Sequence, residues 1–149
     1  MENKNHWYDG WFYDKIIAPN QDRMFGEIKN IIEPNSNVID VGCGTGRFSF
    51  SIADKVNKVV GVDLSSRNIT TAIKTLQKNS NNKISFLHTS LAKLISQNHH
   101  YDYAVMTYVI HEVNPEDRIA LLGEMTQIAN KIIIGDYMVP INKGFWSML

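Results

Sequence analysis

The sequence of 149 residues has few cysteines, no net charge and no long apolar run. Its single cysteine, Cys43, excludes an internal disulfide and suits a reducing cytoplasm. Lysine plus arginine and aspartate plus glutamate both number 15, so no net charge attracts the chain to nucleic acid or to anionic membranes. No apolar stretch approaches the roughly 20 residues of a membrane helix, and the polar start lacks the apolar core of a secretory signal. These absences predict a cytoplasmic protein with no membrane partner and no nucleic acid partner.

Apolar residues make up 44% of the chain, enough for the core of one domain, and their spacing alternates between two periods. Apolar runs predict buried strands at residues 37–41, 58–62, 83–87, 103–107 and 131–136. Helical spacing recurs between them, with helix starts at Ser65 and at Asn114-Pro115, and with Ile31 and Ile119 among the expected buried positions. This alternation predicts an α/β fold: a Rossmann-like, doubly wound parallel sheet of five visible strands, with helices on both faces and a ligand crevice at the carboxyl ends of the strands.

The most specific motif is a glycine-rich turn, Gly42-Cys43-Gly44-Thr45-Gly46, between the first predicted strand and a helix. A second apolar run ends in the carboxylate of Asp63, 17 positions after the last of these glycines. That pairing is typical of βαβ folds that bind a nucleotide-like cofactor, although a purely structural turn is the alternative. Where the dinucleotide pattern has its last glycine, this chain has Arg47, and Asp40 beside the turn would repel a phosphate but suits a cationic ligand.

Residues 40–46 and 61–65 resemble the first two motifs of class I S-adenosylmethionine-dependent methyltransferases. The similarity continues through residues 101–106, 121–125 and 132–136, and covers about two thirds of the chain. Within that superfamily the pattern is most similar to the small-molecule branch that includes the ubiquinone and menaquinone biosynthesis enzymes. The resemblance implies S-adenosylmethionine as the cofactor and methyl transfer as the reaction.

The resemblance also implies roles for individual residues around the cofactor. The glycine turn would pass under the methionine portion, Asp63 would accept both ribose hydroxyls, and Leu64 would lie against adenine. Ser90 stands where the family often has an aspartate that binds the adenine amino group, and its alternative role is to cap a short helix. The expected cofactor contacts are Asp40, Gly42, Cys43, Gly44, Gly46, Asp63, Leu64, Ser90 and Thr107.

Few sequence motifs indicate which acceptor receives the methyl group. Methyl transfer is an in-line displacement that gains much of its rate from alignment and from the exclusion of water. A phenol or enol acceptor would benefit from a base, and His111, just beyond the fourth strand, is the best placed candidate; the alternative is a hydrogen bond within its loop. The segment after the fourth strand lacks the Asn-Pro-Pro-Tyr signature of many enzymes that methylate adenine or glutamine nitrogen, which favours a small-molecule acceptor. No cluster of metal ligands stands out, so no metal is expected.

An aromatic segment precedes the first helix. As a lid, Tyr8, Trp11 and Tyr13 would shape an apolar pocket, which favours an aromatic or lipophilic acceptor. The alternative is that these rings only dock the helix on the core. The chain therefore divides into an N-terminal lid segment and helix, residues 1–36, and a cofactor-binding domain, residues 37–140.

Residues 141–149 form a truncated C-terminal segment by the same resemblance, because no residues remain for the sixth and seventh strands that the family usually has. The fifth strand would then have an open apolar edge, which predicts a homo-oligomer that pairs through it. The leading hypothesis is a methyltransferase that acts on a small acceptor. A non-catalytic S-adenosylmethionine-binding fragment or inactive relative is the alternative, and an NAD-dependent oxidoreductase, disfavoured by Arg47, is the third.

Overall fold

The structure, a computed structural model, describes residues 18–137. Its strands are β1 (Asn37–Val41), β2 (Lys58–Asp63), β3 (Ile84–His88), β4 (Tyr101–Thr107) and β5 (Ala129–Gly135). They form one sheet in the order β3-β2-β1-β4-β5, in which all neighbouring strands are parallel. The predicted doubly wound α/β fold is confirmed. The expectations for Tyr8, Trp11 and Tyr13 and for residues 141–149 lie outside the described residues.

The strands are connected by helices whose starts carry clear chemical signals. The helices are α1 (Ala18–Ile31), α2 (Arg47–Ile52), α3 (Ser66–Asn79), α4 (Leu91–Ser96) and α5 (Pro115–Ile128), and a 3₁₀ turn covers Ile110–Glu112. The Ser65 hydroxyl accepts the backbone N–H of Asn68 at 3.2 Å and so caps α3. Pro115 is the first residue of α5, where its missing N–H costs nothing. Both predicted helix starts are confirmed.

The sheet separates two apolar cores. Residues of α1, α2 and α3 pack against one face, and residues of α4 and α5 pack against the other. Successive strand residues therefore face different cores, as Val38 and Ile39 do, and both are fully buried. Coverage of both faces explains why the strands are continuous apolar runs.

Two of the expected buried positions are wrong. Ile31 is 62% exposed and Ile119 is 81% exposed. On α5 the fully buried residues are Met125 and Ile128, with Leu121 packed beside them. The apolar residues of α5 form two overlapping stripes at helical spacing. One stripe includes Ile119, and the other contains Leu121, Met125 and Ile128. Packing on the sheet buries the second stripe.

The strand order places a crevice at the carboxyl end of the sheet. The chain runs outward from β1 to β2 and β3, and then crosses back to place β4 on the other side of β1. The loops after β1 and β4 therefore leave the sheet in different directions, and ligands bind at such a switch point in open α/β sheets. Among residues 18–137, no helix combines the length and apolar character needed to cross a membrane.

Candidate functional site

A cleft of about 580 Å³ opens at this switch point. Its walls come from the turn after β1, the loop after β2, the loop after β4 and one side of α1. The lining residues include Gln21, Phe25, Gly42, Cys43, Gly44, Arg47, Asp63, Leu64, Asn68, Thr107, Tyr108, Val109 and Glu112. Six of the nine predicted cofactor contacts thus lie on one surface, namely Gly42, Cys43, Gly44, Asp63, Leu64 and Thr107.

The three glycines of the turn all have left-handed backbone angles, but they face different surroundings. A Cβ atom at Gly42 would lie 2.6 Å from Cγ2 of Val109, and one at Gly46 would overlap the ring of Phe86. A Cβ atom at Gly44, where φ is 57°, would meet no atom within 4 Å. Gly42 and Gly46 are therefore required by protein packing, whereas Gly44 borders open space in the cleft. Gly46 itself does not line the cleft.

Asp63 joins the loops after β1 and β2. Its Oδ2 accepts the backbone N–H of Gly44 at 2.8 Å, and its Oδ1 accepts the backbone N–H of Ser65 at 2.7 Å. Each carboxylate oxygen has a second lone pair, so both can accept a further hydrogen bond from a ligand hydroxyl. The carboxylate is thus held in place at the cleft with accepting capacity to spare.

Asp40 lies beneath the turn and does not line the cleft. The Ser49 hydroxyl donates to its Oδ2 at 2.6 Å, while its Oδ1 is buried with no hydrogen-bond partner among the described residues. Burial raises the pKa of this carboxyl to about 7, opposed by the hydrogen bonds from Ser49 and assisted by the charge of Asp63. The side chain of Asp40, which the sequence predicts as a cofactor contact, lies against Ser49 of α2.

Leu64 and Ser90 border a second, mostly apolar cavity of about 190 Å³ next to the cleft. Its walls also include Val62, Leu91 and Val109. The Ser90 hydroxyl accepts the backbone N–H of Lys93 at 3.3 Å, so the serine caps α4 and also borders the cavity. The two roles that the sequence left open for Ser90 are therefore compatible.

His111 forms a pair with Asp136 at the carboxyl ends of β4 and β5. Its Nδ1 lies 2.7 Å from Oδ1 of Asp136, and its backbone N–H donates to Oδ2 at 3.0 Å. His111 does not itself line the cleft, but Glu112, the next residue, does. The side-chain hydrogen bond of His111 is thus made to a carboxylate in the loop after β5, outside its own loop.

Sequence reasoning missed Asp136 and Tyr108. Asp136 follows a predicted parallel strand, so the rule that sites form at carboxyl ends could have singled it out. Tyr108 lines the cleft and has a φ of 57°, a left-handed angle that is unusual for a bulky residue. No sequence pattern predicts this angle.

Comparison with known proteins places the chain in a family. Over 120 residues it is 26% identical to demethylmenaquinone methyltransferase of Bacillus cereus, covering 76% of this chain and 50% of that protein. Over 84 residues it is 28% identical to the tRNA/tmRNA (uracil-C(5))-methyltransferase of Campylobacter curvus, covering 54% of this chain and 23% of that one. The chain thus spans about half the length of the first of these relatives and less of the second.

Among solved structures, the magnesium protoporphyrin IX methyltransferase of Synechocystis PCC 6803, crystallised with bound SAM, superposes with a TM-score of 0.71 at 24% identity. The match covers 85% of this chain and 65% of that one, and it shows a shared fold. A sequence profile described as "Methyltransferase domain" matches residues 38–131, more than half of the chain. The resemblance drawn from the motifs is confirmed, and the chain belongs to the methyltransferase domain family.

Proposed function

We propose that this chain binds S-adenosylmethionine in the cleft and transfers its methyl group to a small aromatic or lipophilic acceptor. The single observation that carries the proposal is Asp63, a carboxylate fixed by two backbone N–H groups and able to accept two hydroxyls. A ribose presents two neighbouring hydroxyls of this kind. Membership of the methyltransferase domain family supports the same reading.

The residues around the cleft fit the chemistry of this cofactor. Asp63 would hold the ribose, and the apolar cavity beside Leu64 and Ser90 would take a flat heterocycle. The open space at Gly44 leaves room for the backbone to approach the amino-acid portion. The carboxylates of Asp63 and Glu112 at the cleft suit a ligand that carries a sulfonium and an ammonium group.

When bound, S-adenosylmethionine supplies an electrophilic methyl group. The chain's own part would be to bind, orient and exclude water, because an in-line displacement depends on alignment. An aromatic acceptor is supported by three rings beside the cleft: the ring of Tyr108 packs between those of Phe25 and Tyr137. A small acceptor is supported by the equal numbers of basic and acidic residues, since nucleic acid attracts basic surfaces.

Calorimetric titration of the 149-residue chain with S-adenosylhomocysteine and with NAD tests the cofactor. We expect binding of the sulfur nucleoside and weak or absent binding of NAD. Tight NAD binding with no response to S-adenosylhomocysteine would favour an oxidoreductase and overturn the proposal. Binding of S-adenosylhomocysteine without methyl transfer to any phenol, amine or tRNA would instead favour a non-catalytic binding protein.

A substitution at Asp63 tests the residue that carries the proposal. Asp63→Ala should weaken S-adenosylhomocysteine binding by on the order of 1–3 kcal/mol, because charge-assisted hydrogen bonds to the ribose are lost. The matched control is Asp102→Ala, because Oδ2 of Asp102 also accepts a backbone N–H, that of Asn37 at 2.7 Å, but at the amino end of the sheet. The control should change the stability of the fold and leave the affinity for S-adenosylhomocysteine unchanged. Equal losses of affinity in the two variants would mean that Asp63 is not part of the site.

A further inference from the structure

We infer that His111, held by Asp136, removes a proton from a weakly acidic hydroxyl of the acceptor, so that the acceptor is a phenol or an enol. The inference rests on the proposed function and deepens it by naming the acceptor class. Asp136 acts through the imidazole and is a positioning residue. Three features beside the loops after β4 and β5 support this role: the pair itself, a row of aromatic rings and the position of the pair relative to the cleft.

The contacts of Asp136 orient the imidazole and assign its tautomer. A carboxylate accepts hydrogen bonds and cannot donate them, so Nδ1 of His111, 2.7 Å from Oδ1, carries a proton. In the neutral ring the lone pair then belongs to Nε2. The side chain of Asp136 is 13% exposed and that of His111 is 30% exposed, so the imidazole is reachable while its partner is shielded. This is the arrangement in which an imidazole accepts a proton from a substrate.

A row of aromatic rings extends from the His111 side of this pair. The ring of Tyr108 lies 4.5 Å from that of Tyr137 and 6.3 Å from that of Phe25, measured between centroids, and the His111 ring lies 5.4 Å from that of Tyr137. The left-handed angle of Tyr108 is maintained by a hydrogen bond from its backbone N–H to the carbonyl of Gly135 at 2.8 Å. Such strain, of about 1 kcal/mol or more, is concentrated at functional sites. The row of rings suits a planar acceptor.

The imidazole is connected to the cleft through its neighbours in the chain. Tyr108, Val109 and Glu112 all line the cleft. The Nε2 atom of His111 lies 3.7 Å from Oε1 of Glu112, so the free lone pair is on the side of the ring that faces a cleft-lining residue. Glu112 also provides the competing possibility, because its carboxylate could attract an amine acceptor in place of a phenol.

The step balances without any additional reactant. Nε2 takes the hydroxyl proton while the acceptor oxygen forms a bond to the methyl carbon. The bond between that carbon and sulfur breaks, and its electron pair remains on sulfur as a neutral thioether. The imidazolium then releases the proton to water.

Two phenols of different acidity test the role of His111 in the 149-residue chain. At about pH 8 the hydroxyl of 1-naphthol is still largely protonated, whereas 4-nitrophenol is largely ionised and needs little help from a base. His111→Gln should lower kcat for 1-naphthol by about 100-fold or more, and by less than about tenfold for 4-nitrophenol. Asp136→Asn should show the same selectivity with a smaller loss, and Asp136→Glu should restore part of it. Equal losses on both phenols would indicate a structural role and overturn the inference.

The matched control is His100→Gln. The Nε2 atom of His100 lies 2.8 Å from Oδ1 of Asn130, so this histidine also pairs with a side-chain oxygen, but before the first residue of β4 and away from the cleft. We expect its variant to keep the wild-type rates on both phenols. Titration with S-adenosylhomocysteine and thermal melting of each variant separate a loss of chemistry from a loss of folding.

The acceptor class is tested with 1-naphthylamine, which has the same ring system. Transfer to the amine but not to 1-naphthol, in a chain that binds S-adenosylhomocysteine, would overturn this inference and leave the proposed function standing. Binding of S-adenosylhomocysteine with no transfer to any of these three compounds would also overturn it. A wild-type chain that does not bind S-adenosylhomocysteine would contradict the proposed function itself.

Discussion

At the scale of single residues, the sequence motif identifies some residues of the site, whereas the roles of others depend on tertiary packing. The sequence pattern pairs the glycine turn with Asp63, and a hydrogen bond joins Gly44 to Asp63 at the cleft. It could not distinguish Gly44, beside open space, from Gly46, beside the ring of Phe86, because only tertiary packing sets that difference. Nor could it show that Asp40 is buried against Ser49, since strand periodicity places a side chain on a face and does not say what lies opposite.

Asp40 should make stability depend on pH. Its pKa is about 7 in the folded protein and 3.8 ordinarily, so the folded state keeps the proton that the unfolded chain releases between these values. Stability is therefore lost as the pH rises through this window, and the full cost, on the order of 4 kcal/mol, applies above about pH 7. Asp40→Asn removes this contribution. Between about pH 5 and about pH 8 the unfolding free energy should shift in favour of the variant by roughly 2–3 kcal/mol.

Urea unfolding of both proteins at the two pH values measures that shift. Other ionisable groups contribute equally to both proteins, so the difference between them isolates Asp40. A difference that does not change with pH would show that Asp40 is ionised throughout.

Substitution by alanine should affect mainly stability at one glycine and mainly cofactor affinity at another. Gly61 lies in β2, where a Cβ atom would lie 2.6 Å from the Phe86 ring and 2.9 Å from Sγ of Cys43, so Gly61→Ala should destabilise the fold by about 1–3 kcal/mol. Gly44→Ala meets no atom, and only its left-handed angle costs about 1 kcal/mol. Its methyl group would enter the cleft, and S-adenosylhomocysteine affinity should fall at least about tenfold. Thermal melting and calorimetry on both variants check this, and a Gly44 variant with wild-type affinity would contradict it.

At the scale of elements, most of the fold was predictable because local signals and packing agree. The helix starts at Ser65 and Pro115 depend on hydrogen bonds or missing donors within one turn, so the sequence contains them completely. The starts of β4 and β5 were not found, since both strands begin two residues earlier than predicted, at Tyr101 and Ala129. Pairing between these two strands, Tyr101 with Ala129, extends them beyond the apolar runs.

The two stripes of α5 give an element-level prediction. Met125 is fully buried and Ile119 is 81% exposed, although both are large apolar residues of the same helix. Met125→Ala should lower the free energy of unfolding by about 2–5 kcal/mol, and Ile119→Ala should change it by less than about 0.5 kcal/mol. Denaturant unfolding measures both. Similar losses in the two variants would mean that α5 is rotated about its axis relative to the description given above.

At the scale of the whole molecule, the fold places binding and candidate chemistry on different strands. The loops after β1 and β2 hold Gly44 and Asp63, and the loops after β4 and β5 hold His111 and Asp136. Both groups lie at the carboxyl end of the sheet, and the strand order brings them close together because β1 lies between β2 and β4. Sequence reasoning could infer this gathering from the parallel topology, but the contact between His111 and Asp136 depends on side-chain packing across 25 residues.

Strand β5 gives a prediction for assembly. Within residues 18–137, β5 pairs with β4 alone, and Ile134 on this strand is 42% exposed. We propose that a second copy of the chain pairs there, and we expect a concentration-dependent dimer by size-exclusion chromatography with light scattering. Ile134→Lys should weaken it. The matched control, Leu87→Lys on the opposite edge strand β3, where Leu87 is 39% exposed, should not. A wild-type monomer at all concentrations would contradict the proposal.

The shared carboxylate of Asp63 has a consequence for how this site can change over evolutionary time. Because the Asp63 carboxylate accepts hydrogen bonds from the backbones of both Gly44 and Ser65, it forms a brace that fixes the loops after β1 and β2 relative to each other. Substitutions in residues 42–46 and in residues 63–65 should therefore be epistatic, with a change in one loop altering which changes the other tolerates. Lineages that carry this brace would therefore change the loops after β1 and β2 together.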